Sequence, residues 1–311
     1  MPRTVPIAIG AGVLSALIFA LFLTGSPLAL VICPFTMLPL LLVGMSNTLL
    51  VSGLAAGSGV LVIGLIGGSL SWAALYAAAE AIPALGLSRL ALRKRTGPNG
   101  GQRFTAAGPL FTIAVIYMAA LFLVLFLALM GREGGMLGVI SEKIGYGLAD
   151  IVQSGDSPTD LASFAASAAF VVPGVSAAWW LIILLANLAV AQSLLTRWGR
   201  NQRPPLELAR MMLPRWLVAL FGLAVILGLA ADGDLGFIGW TLGMILVVPF
   251  FFVGMVCLHL LNRGWAPGPF VLVGIYLILI LRGWPALIAA VLGIAEQWIK
   301  LRDRIGGQRP V

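Results

Sequence analysis

Long uncharged apolar runs recur along this chain, and they limit its fold more than any other feature. Ala106–Met130 carries no charged residue, and neither do Ile7–Leu23, Asn47–Ile66 and Gly236–Leu258. About 20 apolar residues in a helix cross the roughly 30 Å of hydrocarbon in a bilayer. A helix also satisfies its backbone hydrogen bonds internally, which lipid demands. The runs do not alternate apolar and polar residues as β-barrel strands do. Only 10% of the residues are charged, against about 25% in a soluble protein. The expected fold is therefore all-α: a polytopic transmembrane helical bundle of about 8–10 spans. It reads as one integral membrane domain over 1–311, its halves 1–103 and 104–311 joined by a basic loop.

The net charge of +8 does not indicate nucleic-acid binding, because the cations sit in short connectors between apolar runs. That placement is a topology signal. Arg89–Arg103 holds five basic residues, no acid and the stretch GPNGG; Arg197–Arg215 holds five arginines and Glu207. Both are expected on the cytoplasmic side of a bacterial inner membrane, with both termini. The net-acidic Gly131–Asp160, with Glu133, Glu142, Asp156 and Asp160, is expected outside, with a surface helix near Leu137–Val152. Arg3 followed by Ile7–Leu23 reads as a retained first span rather than a cleaved signal. Pro173-Gly174 is expected to divide Leu161–Leu195 into an apolar lead-in and a span over Val175–Leu195. Leu206, Met211, Met212 and Leu213 suggest an amphipathic element on the inner leaflet.

Three features point towards function. Pro34 and Pro39 interrupt Leu28–Val43, and interrupted spans often mark a transporter's binding site. Trp72, Tyr76 and Glu80 recur every fourth residue and share a helix face. A carboxylate within a span is expensive, so Glu80 is a site hypothesis by default. It would pair with a cationic group of a solute or carry a proton, or else pair with Arg89 or reach the surface. Asn187, in a later span, is an amide that needs a partner, and Glu296 lies near the end of the last apolar segment. Finally, Ala8, Gly12, Ala16 and Ala20 stack small side chains on one face of the first helix. Such a face packs inside the protein or docks a partner subunit.

The ending resembles a known family. PPLELARMMLPRW, then RGWP, then LGIAEQWIKLR is similar to the YybS-type family of bacterial membrane proteins. That family is distantly similar to the substrate-binding S-components of energy-coupling-factor transporters. The resemblance implies small-solute binding or uptake and a transporter coupling subunit, or another membrane protein, as partner. It matches Ala8, Gly12, Ala16 and Ala20 to the S-component docking face, and it places Glu296 where members often have Asp. No catalytic residue carries over.

Enzymatic and cofactor signatures are absent from the sequence. There is no GxxxxGK[ST], HExxH or GxSxG, so no nucleotide loop, zinc helix or nucleophile elbow is expected. His259 is the sole histidine, and Cys33 and Cys257 are the only cysteines, which leaves no metal-ligand pattern. The chain is expected to be a non-enzymatic, cofactor-free protein of the lipid bilayer that binds a small solute. The alternative is a membrane scaffold or assembly factor.

Overall fold

The computed structural model describes residues 4–96, 102–151, 158–208, 211–263, 265–300 and 302. Arg3, GPNGG at 97–101, Asp156, Arg210, Asp303 and Arg304 lie outside the described residues. The chain forms two compact units. Unit 1 comprises Met1–Ala114 and Ile182–Met211; unit 2 comprises Val115–Leu181 and Met212–Val311. Among the described residues seven helical segments are long and apolar enough to cross a membrane. This is an all-α, multi-pass integral membrane protein.

Unit 1 opens with α1 (Thr4–Leu23), α2 (Pro27–Ile32), a 3-10 turn at Cys33–Phe35 and α3 (Leu38–Ser46). Pro34 and Pro39 lack N–H donors, so an unbroken helix cannot run through them. The chain then turns into α4 (Leu49–Gly67). Gly68 ends α4 at φ 61°, the left-handed conformation that glycine adopts without strain. Next come α5 (Leu70–Tyr76), a π-helical turn at Ala77–Ala81 and α6 (Ile82–Leu92). Pro83 explains the π turn: it cannot donate to the carbonyl four residues back, and a locally widened helix absorbs the mismatch.

The small-residue face of α1 is used within unit 1. Ala8, Gly12 and Ala16 are buried, and Ala20 is part-buried. A Cβ on Gly12 would overlap the Ala55 carbonyl oxygen and Ser58 Oγ of α4. Glycine is required at that crossing because backbone atoms occupy the space a side chain would need.

The basic loop after α6 forms a short antiparallel hairpin, β1 (Lys94–Thr96) with β2 (Gln102–Phe104). Two cations hold its Phe104 ring: Lys94 at 5.5 Å and Arg203 at 5.7 Å. Arg203 is buried, donating to the carbonyls of Ala91 at 2.9 Å and Pro204 at 3.2 Å. Ala91 lies in the last turn of α6, where a cation suits the unpaired carbonyls. Burial lowers the Arg203 pKa from its ordinary value, but a guanidinium starts so high that it stays charged. This anchoring replaces the amphipathic element expected over Arg197–Arg215. The described connector is irregular, apart from a short turn at Leu208. Pro204, Pro205 and Pro214 deny it the donors a helix needs.

The boundary between the units falls within α7 (Ala107–Leu129) and within α9 (Pro158–Arg197). Pro173 does not divide α9, which runs unbroken for 40 residues. Gly174 instead marks a packing site, since a Cβ there would lie 2.5 Å from Met244 Sδ. Unit 2 also contains α8 (Gly135–Ile151), α10 (Arg215–Ala230), α11 (Gly233–Leu261), α12 (Gly268–Arg282) and α13 (Pro285–Ile299). Its aromatic core gathers Phe122, Phe126 and Phe170 around the buried Phe237. Helices α10, α12 and α13 have 16, 15 and 15 residues. At about 1.5 Å per residue they reach roughly 22–24 Å, less than a full hydrocarbon core. Among the described residues there are thus seven long spans and three short apolar helices, where the sequence led to an expectation of about 8–10 spans.

Candidate functional site

The interrupted helices of unit 1 come together around a buried hydroxyl chain. Ser15, on α1, donates to the Thr36 carbonyl at 2.7 Å. With that proton committed, Ser15 accepts from the Tyr76 hydroxyl, also at 2.7 Å. Tyr76 is fully buried. Its ring meets Phe19 edge-on at 5.3 Å and lies over Gly59, where a Cβ would come 2.5 Å from the hydroxyl. Glycine at 59 thus makes the space that lets Tyr76 reach Ser15.

The 3-10 turn is satisfied from several directions. Cys33 Sγ donates to the Ile18 carbonyl at 3.3 Å, and Thr36 Oγ1 donates to the Cys33 carbonyl at 2.7 Å. Asn187 Nδ2, from α9, donates to the Pro34 carbonyl at 2.6 Å and to the Ile183 carbonyl at 2.9 Å. Backbone freed by a proline within hydrocarbon must find such donors. Asn187 Oδ1 is buried with no hydrogen-bond partner among the described residues.

Glu80 sits on the π turn one turn beyond Tyr76, close enough for its charge to act on both Tyr76 and Cys33. It is part-buried. Among the described residues its carboxylate has no hydrogen bond or ion pair. Arg89 does not reach it: that guanidinium donates to Ser52 Oγ at 3.1 Å. Nor is Glu80 near an end of its span, Leu70–Leu92. It stands about 15 Å from Leu70 and about 18 Å from Leu92 along the axis, near the middle of that helical segment. Trp72 shares the helix face but packs elsewhere, against Gly67 at the end of α4.

Glu296 belongs to unit 2 and has a partner. Arg302 donates to Glu296 Oε1 from Nε at 2.8 Å and from its backbone N–H at 3.3 Å. The carboxylate is buried, its Oε2 lacks a hydrogen bond among the described residues, and the Cys257 thiol lies close by. His259, also in unit 2, donates from Nδ1 to the Met255 carbonyl at 2.8 Å, and its Nε2 faces the Tyr276 hydroxyl at 3.3 Å. Among the described residues no group of His, Cys, Asp and Glu is arranged to hold a metal ion.

Of the residues singled out in the sequence, the fold places Tyr76, Glu80 and Asn187 around the interrupted helices of unit 1. Trp72 stands at the edge of that group, and Glu296 forms a separate ion pair in unit 2. Sequence reasoning missed Ser15, Cys33 and Thr36. Ser15 carried a usable signal, as the only hydroxyl within the apolar run of α1, where a polar side chain faces protein rather than lipid. No family model, curated protein or solved structure matches the chain.

Proposed function

We propose that the protein binds a small solute carrying a cationic group beside Glu80 of unit 1, as the membrane component of a solute-uptake system. One observation carries this reading: a carboxylate halfway along a span, next to two interruptions of regular helix, with no counter-charge among the described residues. Intramembrane carboxylates are ordinarily paired or functional, and broken spans near mid-depth are characteristic of transporter sites. Tyr76, hydrogen-bonded to Ser15, lies one turn before the carboxylate, and Asn187 stabilises the broken backbone. Uptake would draw its energy from a partner subunit or an ion gradient. The likeness to YybS-type proteins and to S-components belongs to this proposal, as does the placement of both termini in the cytoplasm. The α1 face that resembles an S-component docking surface is occupied here by α4, so a coupling subunit would have to engage another surface.

The test is native mass spectrometry of detergent-purified protein. Wild type is expected to retain a small cationic molecule that is absent from Glu80→Gln at equal folded yield. Equal retention by both proteins would overturn the site. A tightly retained protein subunit with no solute would favour the scaffold alternative.

A further inference from the structure

Two adjoining grooves open on unit 1 where α1 and α4 begin and α3, α6 and α9 end. The first, of about 730 Å³, is lined by Asn47, Thr48, Leu49, Arg89 and Gln202 among others. The second, of about 750 Å³, follows α1 from Thr4 through Ile7 and Gly10 to Leu14, with Leu42 and Trp198 opposite. Thr4, Ser46 and Asn47 line both. Both grooves are lined mainly by apolar groups; Arg89 stands in the first, and the second runs about 15 Å along α1. Among the described residues no acidic side chain lines either groove.

Arg89 is the charged group of the first groove. Its Nη2 rests on Ser52 Oγ, which itself donates to the Thr48 carbonyl at 2.9 Å. Its Nε is buried without a hydrogen-bond partner. That Nε is closed off from the groove, but Arg89 as a whole is only part-buried, and the remaining N–H groups of a guanidinium suit the oxygens of a phosphate. The first turn of α4, Leu49 to Val51, lines the same groove and adds N–H groups that have no partner within their helix. Arg200, exposed at the mouth of the apolar groove, adds a second positive charge.

We propose that unit 1 holds an anionic phospholipid here, with its phosphate on Arg89 and an acyl chain along the α1 groove. Basic pockets between membrane helices are suited to such headgroups. The apolar groove beside the cation favours a lipid over a free phosphate ester. This inference does not depend on Glu80.

The test is native mass spectrometry of the full chain with phosphatidylglycerol, with phosphatidylcholine of the same chains, and with glycerol phosphate. Wild type should bind phosphatidylglycerol at least about fivefold more tightly than phosphatidylcholine and should not retain glycerol phosphate. Arg89→Gln should erase that preference. Gly10→Trp should weaken both lipids, because position 10 faces open space where a side chain enters the groove without a Cβ overlap. Glu80→Gln should change neither. The proposal is overturned if Arg89→Gln keeps the preference, or if Gly10→Trp binds lipid like wild type. Glycerol phosphate binding as tightly as the lipid would also overturn it, by assigning the site to a free phosphate ester. Should Arg89→Gln fail to fold, Gly10→Trp decides alone.

Discussion

Gly254→Leu is expected to detach α13 from unit 2 and to yield little or no folded protein. Helices α11 and α13 meet backbone to backbone. A Cβ on Gly254 would overlap the Ala289 carbonyl oxygen, and one on Gly293 would overlap the Phe250 carbonyl oxygen. Residues 250 and 254 thus face 289 and 293 as a seam with glycines at its closest points, the kind of packing that lets membrane helices associate. Overfilling an ordinary core costs about 1–3 kcal/mol because side chains can move aside. Here the obstacle is backbone, so the cost should exceed that range. The same approach places Cys257 and Glu296 side by side, each three residues beyond a seam glycine. Thermal unfolding in detergent reads the effect. Gly274→Ala in α12, where no atom lies within 4 Å of the added Cβ, should stay within about 0.5 kcal/mol of wild type. A Gly254→Leu protein that melts like wild type would show that the two helices do not pack through these glycines.

Glu80→Gln is expected to make the protein more stable while removing its ligand. A charged residue at the centre of a membrane helix costs about 2.5–3.5 kcal/mol on insertion scales, and no partner among the described residues offsets it at Glu80. Glutamine keeps the shape and loses the charge. The gain is smaller than that cost, because a carboxyl shielded from water can neutralise itself by taking up a proton, and it is seen as a rise in melting temperature. A functional carboxylate held at the expense of stability behaves in this way. A structural tether would do the opposite, as Glu296 should: Glu296→Gln weakens a buried contact to Arg302 and lowers stability. Destabilisation by Glu80→Gln would therefore place Glu80 with the tethers.

Much of this arrangement was legible before folding. Apolar length alone located the spans, because lipid leaves a long apolar run little choice but helix. The proline pair at 34 and 39 gave away the broken segment, whereas the π turn at Ala77–Ala81 between Tyr76 and Glu80 was not legible from their four-residue spacing. Pro173-Gly174 misled: a proline inside a long membrane helix removes one hydrogen bond but need not end the helix when neighbouring structure supports it. The hairpin and the Arg203 anchor were hidden because they depend on where Phe104 and the end of α6 lie in space. Asn187 announced its need for a partner, but its acceptor lies 153 residues away on Pro34, a distance no local pattern spans. The Ser15–Tyr76 bond was concealed similarly, since it needs Gly59 beneath the ring.

The central claim is that Glu80 is a carboxyl group without a counter-charge among the described residues, shielded from water within the membrane. Reaction with dicyclohexylcarbodiimide, an apolar reagent for such carboxyls, tests it directly when followed by peptide mass spectrometry. The account predicts an adduct on Glu80, none on the ion-paired Glu296, and loss of the Glu80 adduct when the retained solute is present in excess. An unmodified Glu80 in solute-free protein would contradict it.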